Sequence, residues 1–396
     1  MVIKPKIRGF ICTNAHPVGC AAHVQEQIDY VKQQGPVANG PKNVLVIGSS
    51  TGYGLASRIT AAFGCGAKTL GLFFEKEGTE RRTGTAGWYN TAAFQAAAEA
   101  EGIWAKHLNG DAFSDELKDK AIDVIEKEMG KIDLVVYSLA SPRRTDPETG
   151  EVYNSTLKPI GDSYTATTWN TSKKVMETVS VEPANDEEIA NTVKVMGGED
   201  WERWLDRLQG AGVLAQNCQT VSYTYIGKEL TWPIYGKATI GKAKEDLDRA
   251  AAAITDKLSN VNGKAYVASL KALVTQASSA IPIMPLYISL MYQVMKEEGT
   301  HEGCIEQIYG LYNQCLYADN PIMDEQGRLR MDGKELADHV QAKIAELWPQ
   351  VTTENIYELT DYAGYHSEFL RLFGFGYDHV DYEAEADPAL GVNGMA

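Results

Sequence analysis

The 396-residue sequence predicts an α/β protein with a doubly wound parallel sheet, an N-terminal extension, a large polar insertion and extra C-terminal helices. Two observations predict this fold class. Short apolar, β-branched runs alternate with helical patterns, and one of the first runs ends in a glycine-rich turn that leads into a helix. The composition, 44% hydrophobic and 23% charged, suits a large core and excludes wholesale disorder. We treat residues 1–396 as one enlarged domain.

The first 140 residues carry the clearest alternation. Strands are predicted at residues 44–47, 69–74, 103–108 and 132–137, with helices at about 52–63, 91–101 and 114–129 between them. Ser114 is the expected N-cap of the third helix, and Gly130 its end. Residues 1–40 are predicted to extend one edge of the sheet with a strand at 7–12 and a helix at 21–33.

The alternation lapses in a polar segment and then resumes. Residues 141–218 are rich in Thr, Asn, Glu and Asp, and we predict an insertion there that forms a lid, with one helix near residues 201–208. Residues 219–300 are predicted to complete the sheet with a strand at 220–226, a helix at 236–258 and a strand at 265–274. The proline-interrupted apolar stretch 281–296 either lines a pocket or forms a core helix. Residues 301–396 are predicted to be a helical C-terminal part.

Charge and cysteine content narrow the function classes. Lys and Arg total 37 against 53 Asp and Glu, so the net charge is −16, which disfavours general binding to nucleic acid or to an anionic membrane. The six cysteines are dispersed without a CxxC pair and indicate free thiols of a reducing compartment. With no apolar leader and no apolar run of bilayer length, we expect a cytoplasmic protein. His301-Glu302 lacks the second histidine of an HExxH motif, so we expect no metal.

A Gly-x-x-x-Gly-x-Gly turn, formed by Gly48, Gly52 and Gly54, follows the predicted strand 44–47. The first glycine permits a tight turn, the second permits close approach of a diphosphate, and the third permits packing of helix on sheet. The diphosphate would bind the free N–H groups at the helix N-terminus. Residues 41–140 are therefore predicted to be the dinucleotide-binding half of a Rossmann-type sheet.

Three further positions follow the carboxyl ends of successive strands, where such sheets bind ligands. Glu75 could accept hydrogen bonds from the adenosine ribose and would repel a 2′-phosphate, which favours NADH over NADPH. Asp111 and Ala112 could contact the adenine. The small residues at 138–140 leave room for the nicotinamide ribose.

Two Tyr/Lys pairs are candidates for the chemistry. Tyr235-x8-Lys244, with Tyr225 upstream, places a phenol and an ammonium after a predicted strand and within the next helix. Tyr292-x3-Lys296, with Ser279 upstream, has the spacing of a short-chain alcohol dehydrogenase. We favour the first pair, because all three of its residues are predicted to converge at the carboxyl edge of the sheet. A nearby Lys244 cation is expected to lower the pKa of the Tyr235 phenol.

Several local motifs resemble those of the FabV-type trans-2-enoyl-CoA/enoyl-acyl-carrier-protein (ACP) reductases, an enlarged branch of the short-chain dehydrogenase/reductase superfamily. They are the Tyr235-x8-Lys244 pair and the stretches Gly84-Thr-Ala-Gly-Trp-Tyr-Asn90, Val195-Met-Gly-Gly-Glu-Asp-Trp201, Gly299-Thr-His-Glu-Gly-Cys-Ile-Glu-Gln307 and Phe373-Gly-Phe-Gly. The likeness covers essentially the whole chain.

The resemblance implies a site and a partner set. It implies that Tyr235 is the proton donor, that Tyr225 binds substrate, and that Lys244 acts with Tyr235 and also contacts the cofactor. The other implied cofactor contacts are Gly48, Ser49, Ser50, Thr51, Gly52, Tyr53, Phe74, Glu75, Asp111, Ala112, Leu139, Ala140, Leu273, Val274 and Thr275. It further implies a monomer acting in fatty-acid metabolism. Flavin dependence has been suggested for the family, but no residue pattern here indicates FAD.

The predicted function is NADH-dependent reduction of the 2,3 double bond of a trans-2-enoyl thioester, carried by coenzyme A or by ACP. Hydride would add to C3 while Tyr235 stabilises the enolate oxygen. NADPH would serve less well than NADH. Two alternatives stay open at this point: an NAD(P)-dependent ketoreductase or alcohol dehydrogenase that uses Tyr292 and Lys296, and a non-catalytic nucleotide sensor.

Overall fold

The computed structural model describes residues 1–9 and 11–396 and centres on a parallel sheet of seven strands. The strands of the protein are β1 (Ile7–Arg8), β2 (Ile11–Cys12), β3 (Asn43–Ile47), β4 (Lys68–Phe73), β5 (Ala105–Asn109), β6 (Ile132–Tyr137), β7 (Arg143–Thr145), β8 (Val152–Asn154), β9 (Tyr164–Asn170), β10 (Val175–Val181), β11 (Leu214–Thr224), β12 (Lys264–Ser269) and β13 (Leu329–Arg330). The central sheet has the order β13-β12-β11-β6-β3-β4-β5.

The α-helices are α1 (Pro17–Gln34), α2 (Gly52–Ile59), α3 (Ala86–Ala100), α4 (Asp115–Val124), α5 (Asp186–Met196), α6 (Glu199–Gly210), α7 (Thr239–Lys257), α8 (Met284–Glu297), α9 (Cys304–Leu311), α10 (Asp338–Leu347), α11 (Ile356–Leu359) and α12 (Tyr362–Arg371). Three of them, α2, α4 and α9, continue into single π-helical turns at Thr60–Gly64, Ile125–Met129 and Tyr312–Leu316. Ser114 caps α4 by accepting a hydrogen bond from the Leu117 N–H, as the sequence predicts.

The sheet is covered by helices on both faces, which confirms the predicted fold class. Side chains of β3 alternate between the two faces: Val44 and Val46 pack with α1, α2, α3 and α9, whereas Leu45 and Ile47 pack with α4, α6 and α7. The strand order reverses between β3 and β6, since successive strands add outward from these two. Such a reversal opens a crevice at the carboxyl ends of the two strands, where α/β sheets bind ligands.

The N-terminal extension is not an edge strand. Instead of the continuous strand predicted at residues 7–12, β1 and β2 pair antiparallel in a separate two-stranded sheet, with Ile7 opposite Cys12. Gly9 has a φ of +60°, a left-handed conformation that interrupts a strand. Phe10 lies outside the described residues. The predicted helix exists as α1, but it packs on a face of the sheet against α3.

The polar segment 141–218 is only partly an insertion. Its helix α6 is a core helix of the second face, because Trp201 and Trp204 are fully buried and their indole N–H groups donate to Thr220 Oγ1 (2.8 Å) and to the Ala112 carbonyl (3.1 Å). The lid prediction is therefore wrong for α6, which connects β6 to β11. The hairpin β9–β10 leaves the sheet and packs on the C-terminal helices, with the rings of Trp169 and Tyr362 5.2 Å apart.

The C-terminal part is not wholly helical, because β13 adds the seventh strand parallel to β12. The apolar stretch 281–296 forms α8, a buried core helix with Pro285 in its first turn, where the missing N–H costs nothing. Strand β12 ends at Ser269, five residues before the predicted end, so residues 270–275 form a loop at the carboxyl edge of the sheet. Of the helices in residues 1–9 and 11–396, none is long and apolar enough to cross a membrane.

Candidate active site

The turn between β3 and α2 requires its glycines. Gly48 and Gly52 have φ of +86° and +52°. A methyl group at Gly48 would lie 2.0 Å from the carbonyl oxygen of Ser138, and one at Gly54 would lie 1.8 Å from the carbonyl oxygen of Gly48. At Gly52 the nearest atom, Thr275 Cγ2, would be 3.8 Å away, so this backbone faces open space. The turn therefore has the cradle shape that a diphosphate needs.

The first turn of α2 also suits an anion. The helix begins at Gly52, and Thr51, its N-cap residue, has an extended conformation with φ of −147°. Within the described part of the chain, no side chain caps this turn. The first N–H groups of the helix are thus available to a phosphate, in line with the helix dipole.

Glu75 is held beside the glycine turn. Its carboxylate accepts a hydrogen bond from Ser50 Oγ at 2.6 Å, and a methyl group on Gly87 would lie 2.0 Å from the same oxygen. Burial raises the pKa of Glu75, and hydrogen bonds from Ser50 and Thr85 oppose the shift. The preceding Phe74 exposes 79% of its surface, which is unusual for an aromatic residue at a strand end. An acceptor for ribose hydroxyls and a face for stacking thus lie next to the phosphate cradle.

The loop after β5 is pinned by a buried ion pair. Lys118 Nζ donates to the carbonyl oxygens of Ala112 and Phe113, each at 2.9 Å, and to Asp200 Oδ1 at 2.8 Å. Asp111 Oδ1 accepts from the Phe113 N–H at 3.0 Å. Helix α6, which lies in the predicted insertion, thus helps to hold this loop, which contains the predicted adenine contacts Asp111 and Ala112.

The loop that follows β12 crosses over the glycine turn. The Tyr53 hydroxyl donates to the Lys271 carbonyl at 2.5 Å. Ser278 Oγ donates to the Leu273 carbonyl at 2.6 Å and accepts from the Thr275 N–H at 2.9 Å. On the other side of the turn, Leu139 packs against Gly48, whereas Ala140 is exposed. Among the predicted cofactor contacts on these two segments, residues 273–275 and Leu139 therefore border the crevice directly. Ala140 lies on the rim of the crevice.

Lys244 and the tyrosines meet at the carboxyl end of β11. Lys244 Nζ donates to the Tyr223 carbonyl at 3.0 Å, and burial lowers the pKa of Lys244 to about 8 against the opposing attraction of Asp248. Just beyond the end of the strand, the ring of Tyr225 packs edge-on against that of Tyr235, with centroids 4.9 Å apart. Tyr223 also reaches α2, because its hydroxyl lies 2.6 Å from Ser57 Oγ. The phenols and the ammonium thus lie beside the glycine turn.

The pKa of the Tyr235 phenol differs from the expectation. Burial raises it, and hydrogen bonding with the Tyr225 main chain opposes the shift without reversing it. Lys244 donates to the Tyr223 carbonyl, and its charge does not contribute the lowering of the Tyr235 pKa that the sequence predicted. A phenol in this environment stays protonated at neutral pH and acts as a hydrogen-bond donor.

The rival pair does not form a site. Tyr292 is fully buried in α8, and its hydroxyl donates to Glu368 Oε2 at 2.6 Å. Lys296 Nζ instead pairs with Asp361 Oδ2 at 2.6 Å. Both groups are committed to internal partners, so the structure gives no support to an alcohol dehydrogenase built on this pair.

Two buried polar residues near the crevice carried no signal in the sequence. Glu335 Oε1 accepts hydrogen bonds from the Tyr225 and Tyr287 hydroxyls, and its Oε2 accepts from the Ala272 N–H. Lys271, also buried, has a pKa that burial lowers to about 8, and Glu335 opposes this shift by attraction. No spacing rule connects position 335 with position 225, since the contact arises only when the C-terminal segment folds back onto the sheet.

A cavity of about 400 Å³ lies between α12, the tip of the β9–β10 hairpin and the N-terminal hairpin. Its walls include the aromatic rings of Tyr362, Tyr365 and Phe369, together with Ser279 and Lys174. Ser279 Oγ donates to the Thr275 carbonyl at 2.8 Å, so the cavity adjoins the loop over the glycine turn. In the described parts of the chain, no cluster of three metal-ligating side chains occurs.

A reversed parallel sheet, a glycine cradle and a Tyr/Lys pair at its carboxyl edge define a nicotinamide-dinucleotide-dependent oxidoreductase. Three family models match the chain: the "NAD(P)H binding domain of trans-2-enoyl-CoA reductase" at residues 2–80, the "Trans-2-enoyl-CoA reductase catalytic region" at 82–317 and the "Enoyl reductase FAD binding domain" at 323–386. The chain belongs to the trans-2-enoyl-CoA reductase family, which confirms the resemblance drawn from its motifs.

Individual proteins of known type are similar over the full length. The "Enoyl-[acyl-carrier-protein] reductase [NADH]" of Saccharophagus degradans is 67% identical over 393 residues, which are 99% of this chain and 100% of that protein. The protein of the same name from Pseudoalteromonas translucida is 68% identical over 395 residues, 100% of both chains. The crystal structure of Treponema denticola trans-2-enoyl-CoA reductase in complex with NAD matches with a TM-score of 0.94 at 49% identity, over 98% of each chain.

The segment matched by the model named for FAD contains two fully buried carboxylates. Its strand β13 is two residues long, and its buried carboxylates Asp332 and Glu335 accept hydrogen bonds from protein donors. Buried carboxylates would also repel the diphosphate of FAD. The glycine cradle, the Glu75 carboxylate and the Lys244 ammonium fit a nicotinamide dinucleotide instead.

Proposed function

We propose that this protein reduces the 2,3 double bond of trans-2-enoyl thioesters to saturated acyl thioesters in fatty-acid synthesis, with NADH as the reductant. The observation that carries the proposal is the meeting of Tyr225, Tyr235 and Lys244 at the end of β11, beside the glycine turn. The relatives named above as NADH-dependent enoyl reductases support the same reaction.

The residues divide the work of cofactor binding. The N–H groups of the Gly48–Tyr53 turn would hold the diphosphate, Glu75 would accept the adenosine ribose hydroxyls, and Lys244 would bind the nicotinamide ribose. The Glu75 carboxylate would repel a 2′-phosphate, and this accounts for a preference for NADH over NADPH. When bound, NADH supplies the hydride that adds to C3 of the enoyl group.

Tyr235 is the proposed proton donor. Its buried phenol stays protonated and would donate a hydrogen bond to the thioester oxygen, where negative charge develops as the enolate forms. A donor placed before the reaction in a buried site stabilises this charge without further reorganisation. A proton supplied through Tyr235, and replaced from solvent, then adds at C2 and gives the saturated thioester and NAD⁺. Tyr225, which packs on Tyr235, would orient the substrate.

We propose that the acyl chain of the thioester extends into the cavity lined by Tyr362, Tyr365 and Phe369. This cavity adjoins the loop over the glycine turn through the bond between Ser279 and Thr275, and its aromatic wall suits an acyl chain. Either coenzyme A or ACP could carry the acyl group. The net charge of −16 disfavours docking of an acidic carrier protein except through a local basic patch.

The proposal extends to the state of the protein. We place it in the cytoplasm as a monomer; the six free cysteines suit a reducing compartment. We also treat residues 1–396 as one domain, because the central sheet takes strands from all three family-model segments: β3 and β4 from the first, β5, β6, β11 and β12 from the second, and β13 from the third.

Initial rates with C4 to C12 trans-2-enoyl-CoA, using NADH and NADPH in parallel, test the proposal. Acetoacetyl-CoA serves as the comparison substrate. We expect NADH oxidation with the enoyl thioesters and little with the ketone. Oxidation with acetoacetyl-CoA alone would indicate a ketoreductase, whereas tight NADH binding without oxidation of NADH by any thioester would indicate a nucleotide sensor.

A further inference from the structure

Glu335 lies at a junction between the two halves of the site. Its side chain is fully buried and accepts three hydrogen bonds: from the Tyr225 hydroxyl at 2.9 Å, from the Tyr287 hydroxyl at 2.6 Å and from the Ala272 N–H at 2.6 Å. Tyr225 directly follows β11, and Ala272 belongs to the loop that crosses the glycine turn. One carboxylate therefore joins the substrate side of the site to the cofactor side.

A buried carboxylate is costly unless its oxygens are hydrogen-bonded. Here both oxygens accept hydrogen bonds. Burial raises the pKa of Glu335, whereas attraction to the buried Lys271 ammonium and the hydrogen bonds from Tyr287, Ala272 and Tyr225 oppose that shift and favour the charged form. This arrangement fixes the positions of the three donors, because moving any one of them would leave a carboxylate oxygen in the core without a hydrogen bond. Glu335 thus restrains the groups that it touches more strongly than a neutral side chain would.

The same contacts decide what the two tyrosines can do. The Tyr225 hydroxyl donates its hydrogen bond to Glu335, so it can only accept hydrogen bonds from other neighbours, through the lone pairs of its oxygen. Tyr235, which packs edge-on against it, has a hydrogen bond with the Tyr225 main chain that favours the phenolate and therefore does not use the phenol proton, which stays available to a ligand. The carboxylate therefore separates the roles of two phenols whose rings are 4.9 Å apart.

We propose that Glu335 is a positioning residue for the reaction. One carboxylate holds both the Tyr225 hydroxyl and the Ala272 N–H, and it thereby fixes the position of Tyr225 relative to the loop 270–275, here called the cofactor loop. The inference rests on the proposed role of Tyr225. It gives the C-terminal segment a part in the chemistry through a side chain of its own.

The variant Glu335→Gln separates the two contacts. Its amide can keep the Ala272 bond through the oxygen, but its NH2 group must then face the two phenols and reverse their hydrogen bonds. We expect kcat/KM for crotonyl-CoA to fall on the order of tenfold, because a hydrogen bond to a charged group is lost. The KM for NADH should change much less, since the cofactor loop keeps its bond.

A double-mutant cycle with Tyr225→Phe distinguishes positioning from general damage. If Glu335 acts through Tyr225, Glu335→Gln should cost less than about twofold in kcat/KM once the Tyr225 hydroxyl is gone. Equal losses in both backgrounds, or no loss in the wild-type background, would overturn the proposal. Wild-type protein that fails to oxidise NADH with any enoyl-CoA would instead refute the proposed function itself.

Two further variants keep the test decisive. Asp332→Asn changes another fully buried carboxylate of the same segment, one that accepts from Ser269 Oγ at 2.6 Å, and it should lower thermal stability while leaving the KM for crotonyl-CoA unchanged. If Glu335→Gln does not fold, Glu335→Asp provides the same measurement, because it keeps the charge but withdraws it by about 1.5 Å. An unchanged kcat/KM in a folded Glu335→Asp variant would also contradict the proposal.

Discussion

Replacing Tyr235 with phenylalanine removes one hydroxyl and leaves the ring. The ring is 8% exposed and packs edge-on against Tyr225, so its burial and stacking persist in the variant. The hydroxyl interacts with the Tyr225 main chain, and losing this interaction should cost no more than about 1 kcal/mol of stability. The fold and the cofactor cradle are therefore expected to survive.

The effect on turnover should be much larger. The hydroxyl is the proposed donor to the enolate oxygen, and removing one such donor typically lowers kcat by ~10²–10³-fold, or about 2.7–4 kcal/mol. The assay is NADH oxidation at saturating crotonyl-CoA, with NADH affinity measured separately by fluorescence. We expect kcat to fall by that factor and NADH affinity to stay within about twofold.

Tyr292→Phe is the matched control, because it removes a buried phenol that donates to Glu368. It should lower stability and retain most of its turnover. Turnover of Tyr235→Phe within about threefold of the wild type would refute the proposed donor. A collapse of the Tyr292→Phe variant alongside an active Tyr235→Phe variant would point to the rival pair.

The remaining predictions concern charge. Burial holds the pKa of Lys244 near 8, so its positive charge is present below that pH and lost above it. The KM for NADH should therefore rise as the pH passes 8, and Lys244→Arg should flatten this rise. A wild-type KM profile that is flat to pH 9.5 would contradict the binding of the ribose by Lys244. Glu75→Ala should reduce the preference for NADH over NADPH by roughly tenfold in kcat/KM, because the repulsion of a 2′-phosphate is removed, and an unchanged ratio would sink the assignment. Asp200→Asn leaves the Lys118 ammonium buried without its partner and should lower the free energy of unfolding by about 3–5 kcal/mol in urea denaturation; a loss under about 1 kcal/mol would contradict the pinning of the adenine loop.

The sheet could be predicted because its central strands are continuous apolar runs. Strand β6 has the predicted bounds, residues 132–137, and β3 differs by one residue. Strand β13 could not be predicted, because a two-residue edge strand has too few side chains to show a period. Helix α6 was predicted near residues 201–208, but its polar face hid its place in the core, where Trp201 and Trp204 are among the most buried residues of the protein.

The parts of the candidate site that lie close to a strand end in the sequence could be predicted from local sequence patterns. The glycine turn, Glu75 and the Tyr235/Lys244 pair each lie next to a strand end, so their placement follows from the sheet alone. Glu335 reaches Tyr225 across a separation of 110 residues, and nothing in a single sequence records that contact. The pKa of Tyr235 was also beyond prediction, since it depends on how deeply the ring is buried.

A crystal structure of the protein with NAD⁺ and a saturated acyl thioester tests the central claim most directly. The account predicts the Tyr235 hydroxyl within about 2.6–3.2 Å of the thioester oxygen and Lys244 Nζ at the nicotinamide ribose. A thioester oxygen that binds elsewhere, with Tyr235 facing only protein, would contradict it.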